Sequence, residues 1–199
     1  MGIYLAIYSV SDATIERLHA DPPLTWRIMD PERPEREAEA RAERQPRPGF
    51  FARLMGAKPE PPPPPPPFEL TPGEGDLGPA GDFEKSWHGL HYLLTGTSDE
   101  GDPPLNFLMH GRELELEDGD TPLITHSSAD TRGIADALTR LSDEEVRRRV
   151  NLAEMNELEL YPGRWDAEYL EYVLEDMRRL RETVSGVASK KLGLLVSIS

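Results

Sequence analysis

The chain has 199 residues, 20 prolines, no cysteine and a formal net charge of −15. The length suits one domain of roughly 100–200 residues with room for an insertion, and zero cysteine excludes disulfide scaffolds, Cys-ligated zinc or iron–sulfur sites and thiol nucleophiles. No stretch approaches the ~20 apolar residues of a membrane span, and the N-terminus lacks a signal pattern, so a cytoplasmic protein is expected.

The charge is unevenly placed. Residues 1–27 sum to −1, 28–67 to 0, 68–145 to −14 and 146–199 to 0. Such a sheath of carboxylates repels phosphate, which argues against nucleic acid and anionic membrane as partners. A basic protein or a divalent cation is the partner it would attract. A solvated surface that keeps the chain soluble explains the same charge without any partner.

Residues 3–8 put Ile3, Leu5 and Ile7 on one side and Tyr4, Ala6 and Tyr8 on the other, the period of a strand. Ser11 or Asp12 caps a short helix to about His19, which Asp21-Pro22-Pro23 ends. Leu24, Trp26, Ile28 and Met29 continue as a second element or dock on the core.

Residues 30–81 hold 14 of the 20 prolines and read as a largely disordered insertion. Pro34 to Arg44 offers a charged helix without an apolar face, and Pro61 to Pro67 a polyproline II run of ~22 Å. Phe50, Phe51, Leu54 and Met55 are too apolar for idle linker. They dock back on the host domain or form a peptide that a partner recognises.

From Asp82 a helix is expected to Leu94, with Phe83, Trp87, Leu90 or His91, and Leu94 as its apolar stripe and Thr95-Gly96 as its end. Leu105 to Met109 is a compact apolar strand or short buried helix. Glu113 to Glu117 alternates, Asp118-Gly119 marks a turn, and Leu123 to Thr125 returns as a hairpin. Asp130 to Leu141 and a helix capped by Ser142 and Glu145 follow. Asp166 to Val184 carries Leu170, Val173, Leu174, Met177, Leu180 and Val184 as one stripe, supported by a Glu175–Arg179 pair and stopped by Gly186. Leu192, Leu194, Val196 and Ile198 alternate as a closing strand. The class is α+β: a single compact domain over 1–29 and 82–199, with a small mixed or antiparallel sheet containing both terminal strands, packed by several helices.

Met1 to Leu5, Phe83 to Gly96 with its Trp-His-Gly-Leu-His core, Pro104 to Leu108, and Met155 through Tyr161-Pro162 to Trp165 occur in this order. Together they resemble the YfbM-like family of small bacterial proteins of unknown function, over roughly 1–30 and 82–199. The resemblance implies a single α+β domain and brings no activity, so no catalytic residue carries over. The proline-rich insertion and His110, which follows the apolar run where a small residue is expected, depart from the pattern.

His88 and His91, three apart on one helix, face similar directions, and with His110, His126 and nearby carboxylates they suggest zinc, manganese or iron. Zinc helices, however, space histidines four apart with a Glu between, and Gly89-Leu90 supplies no general base. Neither a nucleophile elbow nor a phosphate loop is present. No catalytic residue, metal or cofactor is therefore assigned. Trp87, His88, His91, Tyr92, Asn106, Tyr161 and Trp165 form the candidate pocket, with a satisfied core as the competing reading. The expected function is a non-enzymatic protein-binding module for a basic partner, in one version an acidic neutraliser of a basic toxin or nuclease. The alternative is a hydrolase or metal-dependent enzyme centred on the Trp-His-Gly-Leu-His helix.

Overall fold

Both terminal strands meet in the middle of one sheet. In the computed structural model, which describes residues 2–30, 36, 78–114, 116 and 123–199, β1 (Leu5–Val10) pairs antiparallel with β5 (Gly193–Ile198) from Leu5↔Ile198 to Val10↔Gly193. β2 (Gly78–Asp82), β3 (Arg112–Leu114) and β4 (Leu123–His126) complete a five-stranded antiparallel sheet in the order β2-β1-β5-β4-β3. Helices α1 (Asp12–Ala20), α2 (Thr25–Met29), α3 (Trp87–Thr95), α4 (Ser128–Arg140), α5 (Asp143–Arg148), α6 (Leu152–Glu157) and α7 (Ala167–Ser189) surround it. The fold is α+β.

The sheet is covered on both faces. Leu5, Ile7, Ile124, Leu194, Val196 and Ile198 belong to the core cluster that includes Leu90 of α3, Leu138 of α4 and Leu180 of α7. Val10, Leu123 and Leu195 belong to a second cluster with Ile15 and Leu18 of α1 and Ile28 of α2. This two-sided burial is why all six residues of β5 are buried and its apolar run is nearly continuous.

The starts of α1, α4 and α5 follow the capping signals. Ser11 accepts from the Thr14 amide, and Ser127 with Asp130 and Ser142 with Glu145 form reciprocal capping boxes. Gly96 ends α3 in the left-handed region at φ 80°.

Several expectations change. β2 begins at Gly78, inside the segment assigned to the insertion, and pairs with β1. Asp82 closes this strand rather than capping a helix: its Oδ1 accepts from the Glu84 amide at 3.0 Å, a 3-10 turn spans Glu84–Ser86, and α3 starts only at Trp87. Residues 103–109 are turns, neither strand nor regular helix. Helix α4 starts at Ser128, two residues before the expected Asp130. Gly186 does not stop α7, which continues to Ser189 because Val184 and Val187 keep its buried stripe going. Glu175 pairs with Arg178 at 2.6 Å, since Arg179 is drawn to the buried Asp176. Apart from Arg36, the charged helix from Pro34, the proline run and the candidate peptide Phe50, Phe51, Leu54 and Met55 lie outside the described residues. Among the described residues no helix is long and apolar enough to cross a membrane.

Candidate functional site

The histidines of α3 reach an acidic loop. His88 Nε2 meets Ser98 O at 2.8 Å, His110 Nε2 meets Asp99 O at 2.6 Å, and His91 Nε2 meets Glu100 O at 2.8 Å. Asn106 Nδ2 donates to Gly101 O at 2.9 Å. Four successive carbonyls are thus held by four side chains, while the side chains of Asp99, Glu100 and Asp102 stay exposed. Gly101 is needed for the turn: its φ is 129°, and a Cβ there would lie 2.6 Å from Thr95 Cβ.

Tautomers follow from these bonds. His88 Nδ1 accepts from the Tyr161 amide at 2.9 Å, so its proton sits on Nε2 and both ring nitrogens are occupied. His91 is fully buried, and burial pushes its imidazole down to about 4. Burial also lowers the pKa of His88 and His126. Neutral rings donating to carbonyls are poor candidates for the metal reading, because ligation through Nε2 would cost the bond each already makes. Among the described residues no cluster of three or more His, Asp or Glu side chains is placed to hold a metal ion.

The other members of the candidate pocket pack into the core. The Trp87 ring stacks on His88 at 4.5 Å between centroids and on Tyr161 at 5.9 Å. Trp165 is 5% exposed and its Nε1–H donates to Leu160 O at 2.8 Å. It lies on Gly89, where a Cβ would meet its Cη2 at 2.2 Å. Tyr92 is buried, and burial with the Glu154 carboxylate beside it pushes its hydroxyl up to about 12. These residues are brought together, but as a filled aromatic layer that carries His88 and His91 on its rim.

A cleft lies next to the clamp. It has a volume of about 660 Å³ at the end of β4, where Asp12, Ile15 and Glu16 of α1 face Ala129, Asp130 and Gly133 of α4. Pro103, Pro104, Asn106, Phe107, His110 and Arg112 form its outer wall, and Thr125 and His126 its floor. Of the seven candidate pocket residues Asn106 alone lines it. Among the rest of its lining, Asp12 accepts from both the amide and the hydroxyl of Ser128 at 2.6 Å, which ties α1 to α4. The sequence signal for this cleft was the pair of helix starts, Ser11-Asp12 and Ser127-x-x-Asp130, the second directly after a strand ending in His126. A smaller groove of about 380 Å³ on the far side of Pro103 and Pro104 is lined by Leu94, Asp102, Arg140, Glu145 and Arg149.

Known proteins match this architecture. A family model described as a domain of unknown function, DUF1877, matches residues 1–197. Protein YfbM of Escherichia coli strain K12 is 36% identical over 109 residues, which cover 50% of this chain and 64% of that protein, just under two thirds of its length. The crystal structure of YfbM from Escherichia coli, titled a protein of unknown function, aligns over 98% of this chain and 99% of that one. Its TM-score of 0.61 at 18% identity is a likeness of fold. With the family model spanning nearly every residue, the chain belongs to the DUF1877 family, of which YfbM is a relative.

Proposed function

We propose that this protein is a non-enzymatic binding module that works inside the cell by presenting a preformed acidic loop to a basic protein partner. The observation that carries the reading is the carbonyl clamp. Asp99, Glu100 and Asp102 are exposed on a loop whose backbone is fixed by His88, His91, His110 and Asn106. A loop ordered before binding loses little entropy on association, and carboxylates held in one arrangement favour a complementary basic surface. Every described acid between residues 82 and 145 is exposed, so these carboxylates are available to steer such a partner. Neutralising a basic toxin or nuclease is one role of this kind.

The test uses the full chain as bait in extract of its own organism, beside a triple variant Asp99→Asn, Glu100→Gln, Asp102→Asn. A basic protein is expected on the wild type, released by salt and absent from the variant. Recovery of the same proteins by both baits, or of no basic protein, overturns the reading. The enzyme alternative is tested separately with His88→Ala and His91→Ala, which under the binding reading alter the loop without removing any metal.

A further inference from the structure

The carbonyl clamp is made of two unlike halves. Asn106, which holds Gly101 O, carries no titrating group, and His110, which holds Asp99 O, lies exposed to water. His88 and His91 are different, because neither can take a second proton where it stands. His88 Nδ1 is filled by the Tyr161 amide at 2.9 Å, and a proton there would set two N–H groups against each other. His91 Nδ1 is buried without a hydrogen-bond partner, so a proton there would be a buried charge and a donor with no acceptor. Through its other nitrogen each ring holds a loop carbonyl, Ser98 O and Glu100 O, both at 2.8 Å. Lifting the loop uncovers those Nε2 edges to water, where an imidazole titrates near its ordinary value.

The surrounding charges leave this arrangement in place. Burial lowers the pKa of both rings, and it outweighs the Ser98 and Glu100 carbonyls and the Asp99 carboxylate, which favour the proton. On His91 the neighbouring imidazoles of His88 and His110 oppose the proton as well. Glu154 and Arg149, which also approach α3, engage Tyr92 and the Leu93 and Leu94 carbonyls instead.

We infer that the acidic loop is held by a proton-sensitive latch: protonation of His88 and His91 lets go of Ser98 O, Glu100 O and the Tyr161 amide together, and residues 97–102 lift from α3 while the sheet stays folded. Both rings have a lower pKa in place than released, so the latch is fully closed above pH 6.5 and weakens as the pH falls. His91 alone, going from about 4 in place to the ordinary value when released, makes release roughly twentyfold easier at pH 5 than at pH 7. His88 adds to this. One consequence rests on the binding-module reading: acid withdraws the preformed carboxylates and so releases the basic partner.

The experiment measures hydrogen exchange of the full chain without any partner at pH 7 and pH 5, each rate divided by the intrinsic rate of that amide at that pH. Protection of the Tyr161 amide and of residues 97–102 is expected to fall roughly twentyfold or more toward pH 5. At both pH values these amides should stay less protected than those of β5, which marks the event as local. His88→Gln with His91→Gln keeps a donor toward each carbonyl and removes both titrations, so the fall disappears. His91→Gln alone, the milder change, leaves a smaller fall, and His110→Gln leaves it whole. The inference is overturned by equal protection of these amides at both pH values, by exchange there no faster than in β5, by a fall that persists undiminished in His91→Gln, or by its loss in His110→Gln. No partner enters these measurements, so failure of the latch is distinct from failure of the binding-module reading, which the charge variant of Asp99, Glu100 and Asp102 decides.

Discussion

Replacing Gly89 by Ala sets two effects of opposite sign against each other. Gly89 lies within α3, where Ala is intrinsically preferred by about 1 kcal/mol. Against that, the added Cβ would stand 2.2 Å from Trp165 Cη2 and 3.0 Å from its Cζ3. The indole must retreat by about 1 Å to restore van der Waals contact. It is not free to do so: Trp165 Nε1 donates to Leu160 O at 2.8 Å, and its backbone N and O each bond Asn156 at 2.9 Å. Overpacking of this kind costs about 1–3 kcal/mol, and each hydrogen bond bent by the retreat about 1 kcal/mol more. The clash wins, with a net loss of about 2 kcal/mol and a Tm lower by about 4–8 °C for a chain of this size. Gly133→Ala is the control, since it is also helical but its Cβ would meet nothing within 4 Å. It should raise stability by about 0.5–1 kcal/mol. Thermal and urea unfolding followed by circular dichroism measure both. A Gly89→Ala midpoint at or above wild type would refute the claim that contact with Trp165 is why this helix carries glycine.

Acid should destabilise the fold before any carboxylate titrates in bulk. Burial holds the His88, His91 and His126 pKa values below the ordinary 6.5, His91 at about 4, so below pH 6.5 the unfolded chain binds more protons than the folded one. Stability is full above 6.5 and declines toward pH 4; urea midpoints flat across that window would contradict it, and His91→Gln should make the decline shallower. Asp176, 1% exposed, accepts from Ser86 and from Arg179 at 2.6 Å, so Asp176→Ala strands both partners and should cost about 2–4 kcal/mol. Asp176→Asn, which keeps an acceptor, should cost clearly less, and equal losses in urea titrations would count against the pairing argument. Asn106→Ala removes one of the four clamp bonds, so amide exchange in residues 97–102 should rise roughly tenfold while the global midpoint moves little. Unchanged exchange there would mean that the loop is held without Asn106.

Where local chemistry decides the structure, the residues announce it. Ser11, Ser127 and Ser142 each accept from the amide three residues on, and the 3–4 spacing of Val173, Met177, Leu180 and Val184 faces the core as read. The alternating Leu5–Ile7 and Leu194–Val196 marked the strands that became neighbours. What escaped reading depends on distant partners. Gly78–Asp82 contains two glycines and a proline, a composition against strand, and it is one only because β1 offers an open edge. The extension of α7 past Gly186 is decided by Val187 finding a buried place, not by the glycine. The cleft is assembled from α1, α4, the end of β4 and residues 103–112, and although the two helix starts are legible in sequence, nothing local says that they face each other.

The histidines show why a site is harder to read than a fold. His88 and His91 at a spacing of three, with His110 and acids nearby, have the same composition whether they hold a cation or a backbone. What separates the two is where the ring protons go, and that is set by groups far along the chain. The Tyr161 amide, 73 residues away, donates to His88 Nδ1 and thereby fixes its Nε2 as a donor, which a carbonyl satisfies and a metal ion does not. His110 and His91 then meet the next two carbonyls, and the carboxylates of that loop turn outward because their backbone is held inward. The acids that in sequence looked like prospective ligands of the histidines are therefore displayed by them.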